Sequence, residues 1–461
     1  MQSGFLFLTC KAKLKIKTAM NRVNIAPNEV LEVLSRHILT DGYDLTLDMK
    51  NSHGSYIYDS KHKRELLDFF TFFASAPVGF NHPKMLNDKE FLDTLVRAAL
   101  TNPSNSDIYT VEYAEFVSVF ERVAMNKDFK YAFFIAGGTL AVENTLKAAM
   151  DWKVKKNFQK GYRYEKGHQI LHFEQAFHGR SGYCLSLTNT SPEKTALFAK
   201  FDWPRVINPK IKFPYTDENY EDLKKREQLA IKQIKQHFYE RKDDIAAIII
   251  EPIQAEGGDN HFRAEFLQEL KTLALENEAL LIFDEVQTGV GLTGKFWAYE
   301  HFGVVPDMIA FGKKMQICGL ICGERIDEIP DNVFHVPSRI NSTWGGNLVD
   351  MVRAGKILEI IEEDNLVENA ATVGEHLLQG LYNVAQIYPD KISNVRGRGL
   401  MCAFDLTSRT QRDALIQQAM REGLFLLGCA EKTIRFRPPL NISKAEVERG
   451  IEIIKHVARS I

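Results

Sequence analysis

LLIFDEVQTGVG at residues 280–291 and PDMIAFGKKMQICG at residues 306–319 are the two most informative stretches of this chain. Each contains a short apolar run, which is typical of a buried parallel strand, and each run leads to a charged residue. The first run ends at Asp284, and the second leads to Lys313. Because open α/β sheets bind ligands at the carboxyl ends of their strands, we expect this carboxylate and this amine to share one crevice.

The chemistry of such a pair indicates a class of cofactor. A carboxylate can keep a pyridinium nitrogen protonated, and a lysine amine can form a Schiff base. These are the two protein groups that pyridoxal 5'-phosphate (PLP) chemistry most needs. We therefore predict a PLP site built from Asp284 and a lysine. Spacing alone does not distinguish Lys313 from Lys314, which follows it directly.

The composition is that of a large globular protein without a charge bias. The chain has 461 residues, 45% of them hydrophobic, and a formal net charge of -2. This length allows more than one domain, and the charge gives no reason to expect a nucleic acid partner. No apolar stretch reaches the roughly 18 residues of a membrane span. The six cysteines show no metal-ligand spacing, so we expect no metal, and reduced thiols in a cytoplasmic enzyme.

The N-terminal stretch MQSGFLFLTCKAKLKIKTAM places an apolar run before a run of lysines. Secretory signals have the reverse order and a longer apolar stretch. We therefore interpret residues 1–23 as a poorly ordered tail, or as the product of a start codon chosen upstream of Met20.

Strand and helix patterns alternate along the rest of the chain. A charge-rich helical pattern at residues 220–242 is followed by the strand IAAIIIEPI, the helix FRAEFLQELKTLALENEA and the strand LLIFDE. A strand, helix, strand crossover belongs to a parallel sheet with helices on its faces, so we predict an α/β fold. We place a large domain at residues 75–345 and a smaller domain in residues 24–74 and 346–461.

A glycine pair in YAFFIAGGTLAVENTLKAAMDWK, residues 131–153, indicates an anion site. A strand pattern leads into Gly137 and Gly138, and a helix pattern starts near Thr139. The backbone amides at a helix start favour a phosphate, and a threonine hydroxyl adds a donor. A tight turn that needs glycine is the plain alternative. The spacing GxGxxG and the P-loop lysine are both absent, which argues against dinucleotides and ATP.

Two further segments carry candidate binding groups. HFEQAFHGRSGYCLSLTNT, residues 172–190, offers Phe177 to stack on a flat ring and Arg180 to bind a carboxylate. TIRFRPPL, residues 433–440, offers Arg435 and Arg437 on an alternating strand, so we expect one to face a site and the other to face solvent. The plain alternative in both segments is a solvated arginine.

Together, the order and spacing of these segments resemble the class III aminotransferases, which are PLP-dependent enzymes of fold type I. The resemblance runs from about Asn24 to the C-terminus. The segments that carry it are LLDFFTFFASAPVGFNHP, NPSNSDIYT, GGTLAVENTLKAA, AFHGRSGYCLSLTNT, KFDWPR, EPIQAEGGDNHFR, DEVQTGVGLTG, FGKKMQICG, NSTWGGNLVDMVRA, GRGLMCAF and IRFRPPL. The resemblance implies a large domain with a mostly parallel seven-stranded sheet between helices, and a smaller α+β domain.

The resemblance also implies roles around the cofactor. It assigns the Schiff base and the later proton transfer to Lys313, which stands at the family's GK position, and not to Lys314. Asp284 is implied to pair with the pyridine nitrogen. Gln287 is implied to reach the phenolic oxygen of the ring and the substrate, and Phe177 to stack on the ring.

Phosphate binding is implied to involve two subunits. Gly138 and Thr139 resemble the residues that hold the phosphate from one subunit. Thr343, in NSTWGGN, matches the position that binds the same phosphate across a homodimer interface, so one chain alone has an incomplete site. The alternative for Thr343 is a cap for the helical pattern NLVDMVRAGKILEII.

Three residues are implied to select the substrates. Arg180 resembles the group that binds the distal carboxylate of either substrate, and Arg435 the group that binds the carboxylate of 2-oxoglutarate beside the reacting carbon. Glu256 resembles a switch glutamate that pairs with Arg435 when lysine is bound and moves away for the keto acid. A plain structural ion pair is the alternative. Ala255 stands where many relatives have glycine, so we expect a stiffer loop around Glu256.

AFHGRSGY, KFDWPR, GGDNHFR and GKKMQICG are typical of the branch of the class that acts on the ε-amino group of L-lysine. The implied reaction transfers this group to 2-oxoglutarate by a ping-pong mechanism. Its products are L-glutamate and 2-aminoadipate 6-semialdehyde, which cyclises to piperideine-6-carboxylate. Another omega-aminotransferase, acting on ornithine, 4-aminobutyrate or a diamine, is the enzymatic alternative. A protein that binds PLP without turnover is the alternative outside enzymes.

Overall fold

The structure is a computed structural model that describes residues 24–461. The interpretation of residues 1–23 as a tail therefore lies outside the described residues. Among the helices of residues 24–461, none combines the length and the apolar character that crossing a membrane requires.

A seven-stranded sheet forms the centre of the protein. Its strands follow one another, from edge to edge, in the order Tyr131–Ile135, Cys318–Cys322, Met308–Phe311, Leu280–Asp284, Ile245–Ile250, Gln169–Phe173 and Arg205–Val206. Cys318–Cys322 runs antiparallel to both of its neighbours, and the other paired strands are parallel. The prediction of a mostly parallel seven-stranded sheet is confirmed.

The predicted crossover is present in the middle of this sheet. Helix Ala264–Glu276 connects strand Ile245–Ile250 to strand Leu280–Asp284, and Ile250 pairs with Phe283 in a parallel register. Every residue of both strands is buried, as expected of a parallel strand that is covered on both faces. The next strand, Met308–Phe311, is also parallel, and Ala310 stands beside Asp284. The two carboxyl ends that the sequence singled out are therefore neighbours.

Helices cover both faces of the sheet and build the rest of the protein. Their bounds are Val30–Ser35, Pro83–Leu86, Lys89–Leu100, Val111–Ala124, Gly138–Gln159, Gly182–Leu187, Asp217–Glu240, Ala264–Glu276, Leu348–Glu363, Leu366–Ile387, Arg409–Arg421 and Lys444–Ala458. Short 3-10 helices span Pro192–Lys194, Ala298–His301, Lys313–Met315 and Glu324–Glu328.

The N-terminal and C-terminal segments pair with each other. Strands Tyr56–Asp59 and Arg64–Asp68 form a hairpin, and Leu424–Phe425 adds to it in parallel. A four-stranded antiparallel sheet follows the order Ser393–Arg398, Met401–Asp405, Thr433–Phe436 and Leu427–Cys429. This pairing agrees with a smaller domain assembled from both ends of the chain, whereas its boundaries at residues 74 and 346 stay predictions.

Candidate active site

A cavity of about 290 Å³ opens at the carboxyl ends of strands Leu280–Asp284 and Met308–Phe311. It is lined by eight of the ten residues that the sequence proposed for the site, all except Arg435 and Thr343. Open α/β sheets place their ligands at such a position. Residues as distant in sequence as Gly138 and Lys313 meet here, so this cavity is the candidate active site.

The structure distinguishes the two neighbouring lysines. Lys313 lines the cavity, and its Nζ lies 5.8 Å from the centre of the Phe73 ring. Lys314 is buried on the other side of the chain, where its Nζ donates a hydrogen bond to the Gln287 carbonyl oxygen at 2.6 Å. Burial lowers the pKa of both amines. Only Lys313 faces space that a ligand can occupy, so geometry favours Lys313 as the nucleophile.

The charges around Lys313 favour its neutral, nucleophilic form. Burial is the largest cause that lowers the pKa of this amine, and the cations Arg435 and Arg437 lower it further, to about 8. Glu256 and Asp284 oppose this shift without cancelling it. A lysine that is desolvated beside other cations is a common form of activated amine.

Asp284 belongs to a buried polar cluster that the sequence analysis missed. Its Oδ2 lies 2.7 Å from Nδ1 of His178, and its Oδ1 accepts a hydrogen bond from the Val286 amide at 3.1 Å. Glu251 also lines the cavity and accepts hydrogen bonds from the Phe177 and Ala255 amides. Burial raises the pKa of Glu251 to about 7, and the Asp284 charge contributes to this. The cluster fixes the orientation of the Asp284 carboxylate.

An anion site lies at the start of helix Gly138–Gln159. Gly137 has a φ of 104°, a conformation that suits glycine, and it leads the chain from the strand into the helix. Thr139 lies in the first turn, and its hydroxyl is 3.4 Å from the Ser181 hydroxyl. A Cβ at Gly179 would lie 2.0 Å from the Thr139 hydroxyl oxygen, so this close approach requires glycine. The amides of the helix start thus reach the cavity beside the Thr139 hydroxyl.

Two side chains supply apolar contacts for a flat ring. Phe177, predicted from the sequence, lines the cavity and is half-buried. Val286, which the sequence analysis did not select, lines it as well. Its only sequence signal was its place between Asp284 and Gln287.

Glu256 and Arg435 form a direct ion pair at the wall of the cavity. Arg435 Nη2 donates to Glu256 Oε2 at 2.7 Å, and Lys194 donates to Oε1 of the same carboxylate. Burial alone would raise the pKa of Glu256, but the charges of Arg435 and Lys194 lower it overall. Arg435 is only 1% exposed, and its Nε and Nη1 have no hydrogen-bond acceptor within residues 24–461. The guanidinium therefore keeps two donors available for another anion.

The expectation that one arginine of TIRFRPPL faces solvent is wrong. Both are buried, and Arg437 binds Asp259 through Nη1 at 2.9 Å and Nη2 at 2.5 Å. Its Nε donates to Gln287 Oε1 at 2.9 Å. Side chains two residues apart on a strand lie on the same face, so alternation does not separate Arg435 from Arg437, and strand Thr433–Phe436 is buried along its whole length. Arg437 and Asp259 hold Gln287 in the cavity, a role the sequence analysis missed.

A left-handed turn brings an aromatic ring to the site. Residues Thr71–Ala74 have positive φ angles between 40° and 67°, which is costly for side chains other than glycine. The turn is held by Asp68 Oδ1, which accepts from the Phe70 and Thr71 amides at 2.8 Å, and by Thr71 Oγ1, which donates to the Arg437 carbonyl oxygen. The turn places Phe73 within 5.8 Å of both Lys313 Nζ and the Arg435 guanidinium carbon.

Thr343 does not reach the cavity of its own chain. It is exposed in the loop before helix Leu348–Glu363. This helix has Asn347 as its N-cap residue, so the alternative of Thr343 as a helix cap is wrong. The loop is attached to residues 102–106, for example through the hydrogen bond from the Ser106 hydroxyl to the Ser342 carbonyl oxygen at 2.9 Å.

The fold and the site define a class of enzyme, and a family comparison agrees with them. The chain matches the family model of class-III aminotransferases over residues 39–458. The chain therefore belongs to the class-III aminotransferases, and it is a PLP-dependent enzyme of this class.

Similar proteins agree with this assignment over nearly the whole chain. The L-lysine-epsilon aminotransferase of Mycobacterium tuberculosis is 50% identical over 429 residues, which cover 93% of this chain and 95% of that protein. The L-lysine-epsilon aminotransferase of Amycolatopsis lactamdurans is 47% identical and covers 94% of this chain and 96% of its own. The solved structure of the M. tuberculosis lysine aminotransferase in the internal aldimine form superposes with a TM-score of 0.92 at 50% identity, covering 94% of this chain and 99% of that one.

The groups that line the cavity fit PLP. The helix start at Gly138 and the Thr139 hydroxyl would hold the phosphate. Asp284 would hold the protonated ring nitrogen, and Phe177 and Val286 would contact the ring. Lys313 forms no hydrogen bond or ion pair through its side chain within residues 24–461, so its amine remains available for the cofactor aldehyde.

Proposed function

We propose that this enzyme transfers the ε-amino group of L-lysine to 2-oxoglutarate in two successive half-reactions. The products are 2-aminoadipate 6-semialdehyde, which cyclises to piperideine-6-carboxylate, and L-glutamate. The observation that carries the proposal is the ion pair between half-buried Glu256 and buried Arg435, next to Lys313. The similarity to L-lysine-epsilon aminotransferases supports it.

The ion pair matters because the two substrates differ near the reacting carbon. The ε-carbon of lysine carries no carboxylate, whereas the keto carbon of 2-oxoglutarate is bonded to one. A free Arg435 suits the keto acid but leaves an uncompensated buried cation when lysine is bound. Glu256 neutralises this cation at 2.7 Å in the structure. Its movement away from Arg435 would expose the guanidinium to the second substrate.

Arg180 is suited to the far end of both substrates. It lines the cavity and is exposed, and it forms no ion pair within residues 24–461. Lysine and 2-oxoglutarate each carry a carboxylate remote from the reacting carbon, and a guanidinium binds such a group in bidentate fashion. We therefore assign the distal carboxylate of either substrate to Arg180.

The remaining cavity residues carry the general part of the mechanism. When bound, PLP supplies an electrophilic aldehyde and an electron-withdrawing ring that carries the amino group between the half-reactions. Lys313 moves the proton at the reacting carbon, a task for which its lowered pKa is suited. Asp284, oriented by His178, keeps a proton on the ring nitrogen. Gln287, oriented by Arg437, donates its amide toward the phenolic oxygen.

We also propose a homodimer in which Thr343 of one chain completes the phosphate site of the other. Thr343 is exposed, and several large apolar side chains near its loop are exposed with it: Leu100, Ile108, Tyr109, Val111 and Trp344. Clustered exposed apolar groups are typical of protein interfaces. We propose a cytoplasmic location as well, because the scattered cysteines of the sequence indicate reduced thiols.

The test is a donor panel with purified, PLP-loaded protein. Lysine with 2-oxoglutarate should give glutamate and a cyclic imine that a colour test detects. Ornithine, 4-aminobutyrate and a diamine are offered in parallel, because these donors define the alternative omega-aminotransferases. Preference for ornithine over lysine would move the assignment to another branch. Absence of turnover with every donor would instead favour a protein that binds PLP without catalysis.

A further inference from the structure

Glu256 stands between two cavities. On one side it lines the active-site cavity, and on the other it lines an outer cavity of about 700 Å³ next to helix Arg409–Arg421. Lys194 also lines the outer cavity and donates to Oε1 of Glu256. Arg435 binds the other oxygen, Oε2, at 2.7 Å. The carboxylate is thus held between two cations, one buried and one at the outer cavity.

The main chain around Glu256 is fixed, so movement of the carboxylate is a side-chain rotation. The Glu256 carbonyl oxygen accepts from the Ala430 amide at 3.2 Å. A Cβ at Gly257 would lie 2.0 Å from the Gln175 carbonyl oxygen, which shows how closely the loop packs. This agrees with the stiff loop expected from Ala255. The outer cavity provides the space into which the side chain can turn.

Lys194 is itself held in place. It ends the 3-10 helix Pro192–Lys194, and its Nζ lies 5.5 Å from the centre of the Phe177 ring. Its side chain is 27% exposed, against 22% for Glu256. An amine in contact with an aromatic face and a carboxylate has a preferred position that does not depend on Arg435.

We propose that Lys194 is a positioning residue that retains Glu256 at the outer cavity while the 2-oxoglutarate carboxylate occupies Arg435. This inference rests on the proposed function. A carboxylate that loses one of two partners keeps a counter-ion. A carboxylate that loses its only partner becomes an unpaired, largely buried charge, which costs much more. Lys194 therefore lowers the cost of releasing Arg435 to the keto acid.

The two half-reactions place different demands on Lys194. Binding of lysine leaves the Glu256 to Arg435 pair intact, so Glu256 does not need to be held at the outer cavity. Binding of 2-oxoglutarate requires Glu256 to release Arg435. Loss of Lys194 should therefore weaken the keto-acid half-reaction selectively.

The test compares Lys194→Met, Lys194→Arg and the control Arg409→Gln. Arg409 lines the same outer cavity and is 72% exposed, but it does not contact Glu256. For Lys194→Met we expect KM for 2-oxoglutarate to rise about fivefold, the upper range for a partly exposed ion pair. Its kcat and its KM for lysine should be unchanged within error. Lys194→Arg should restore the KM, and Arg409→Gln should not alter it.

A double-mutant cycle separates this role from direct attraction of the keto acid. In a Glu256→Gln background, Lys194→Met should have no further effect on KM for 2-oxoglutarate. A persisting effect would mean that Lys194 attracts the substrate itself and would overturn the proposal. An unchanged KM in the single variant would overturn it as well.

A binding measurement keeps the inference distinct from the proposed function. Glutarate has two carboxylates and no keto group, and calorimetry reports its affinity for the PLP-loaded enzyme without turnover. Weaker glutarate binding by Lys194→Met, relative to wild type and Arg409→Gln, supports the positioning role even if lysine is not the donor. Failure of the wild type to react with lysine contradicts the proposed function alone. Equal glutarate affinity in all three proteins contradicts the positioning role alone.

Discussion

The pH dependence of cofactor capture tests how the site activates Lys313. Burial together with Arg435 and Arg437 lowers the pKa of this amine to about 8. Only the neutral amine attacks the PLP aldehyde. At pH 7 an amine of pKa about 8 is about one tenth neutral, whereas an ordinary lysine of pKa about 10.4 is neutral in about one molecule in 2,500. The site therefore increases the reactive fraction by roughly 200-fold or more at neutral pH.

The assay mixes apoenzyme with PLP and follows the absorbance of the bound cofactor. Because the pKa is lowered to about 8, the capture rate should rise through pH 8, where half of the amine is neutral, and level off at about pH 9. Lys313→Met should not capture PLP covalently. Lys314→Met is the matched control, because it removes the neighbouring buried amine that binds the Gln287 carbonyl oxygen, and it should keep the profile.

Two results would refute this reasoning. A rate that continues to rise up to pH 10 would mean that Lys313 keeps an ordinary pKa in the folded protein. Covalent capture by Lys313→Met would mean that Lys314 reaches the cofactor, contrary to its position behind the chain.

Three further predictions address the substrate pocket, the buried support and the interface. Glu256→Ala should lower kcat/KM for lysine by at least about tenfold, because it leaves Arg435 buried without its carboxylate. The keto-acid half-reaction should largely persist. Equal losses in the two half-reactions, measured separately, would contradict the switch. Asp259→Asn should reduce the free energy of unfolding by about 3–5 kcal/mol, because it leaves the buried Arg437 cation unpaired. Urea denaturation measures this change. A loss below about 1 kcal/mol would argue against a paired charge. Trp344→Glu places a charge in the proposed interface, so it should produce monomers in sedimentation and weaken PLP binding at the same time. A monomer with full PLP affinity would show that Thr343 is not needed across the interface.

Local patterns predicted those parts of the fold that depend on local chemistry. Strand Leu280–Asp284 and helix Ala264–Glu276 appear where the apolar runs and the helical spacing indicated them. The same holds for the helix after Gly137, where a glycine with positive φ has a clear sequence signal. The rule that carboxyl ends of parallel strands meet was enough to bring Asp284 and Lys313 together.

Groups that act through long-range contacts were not predictable in this way. His178 touches Asp284 across 106 residues, and Arg437 touches Asp259 across 178. Neither spacing has a local signature. The expectation for Arg437 was wrong because side chains two residues apart share one face of a strand, and whether that face is buried depends on its neighbours in space. The left-handed turn at Thr71–Ala74 contains no glycine, so its sequence gives no signal of the positive φ angles.

The sequence by itself determined the class of fold and the PLP chemistry, because the strands that lead to Asp284 and Lys313 and the helix start at Gly138 follow local rules. The resemblance to class III aminotransferases added Gln287 and Glu256 to the residues that line the cavity. The resemblance already favoured Lys313 over Lys314, and the tertiary structure supplies the physical reason: a difference of one position in the chain directs the two side chains to opposite sides. The tertiary structure decided the partners of each charge: Glu256 lies between Arg435 and Lys194, and Gln287 is held by Arg437. These contacts depend on the packing of the C-terminal strands against the central sheet, which no single segment encodes.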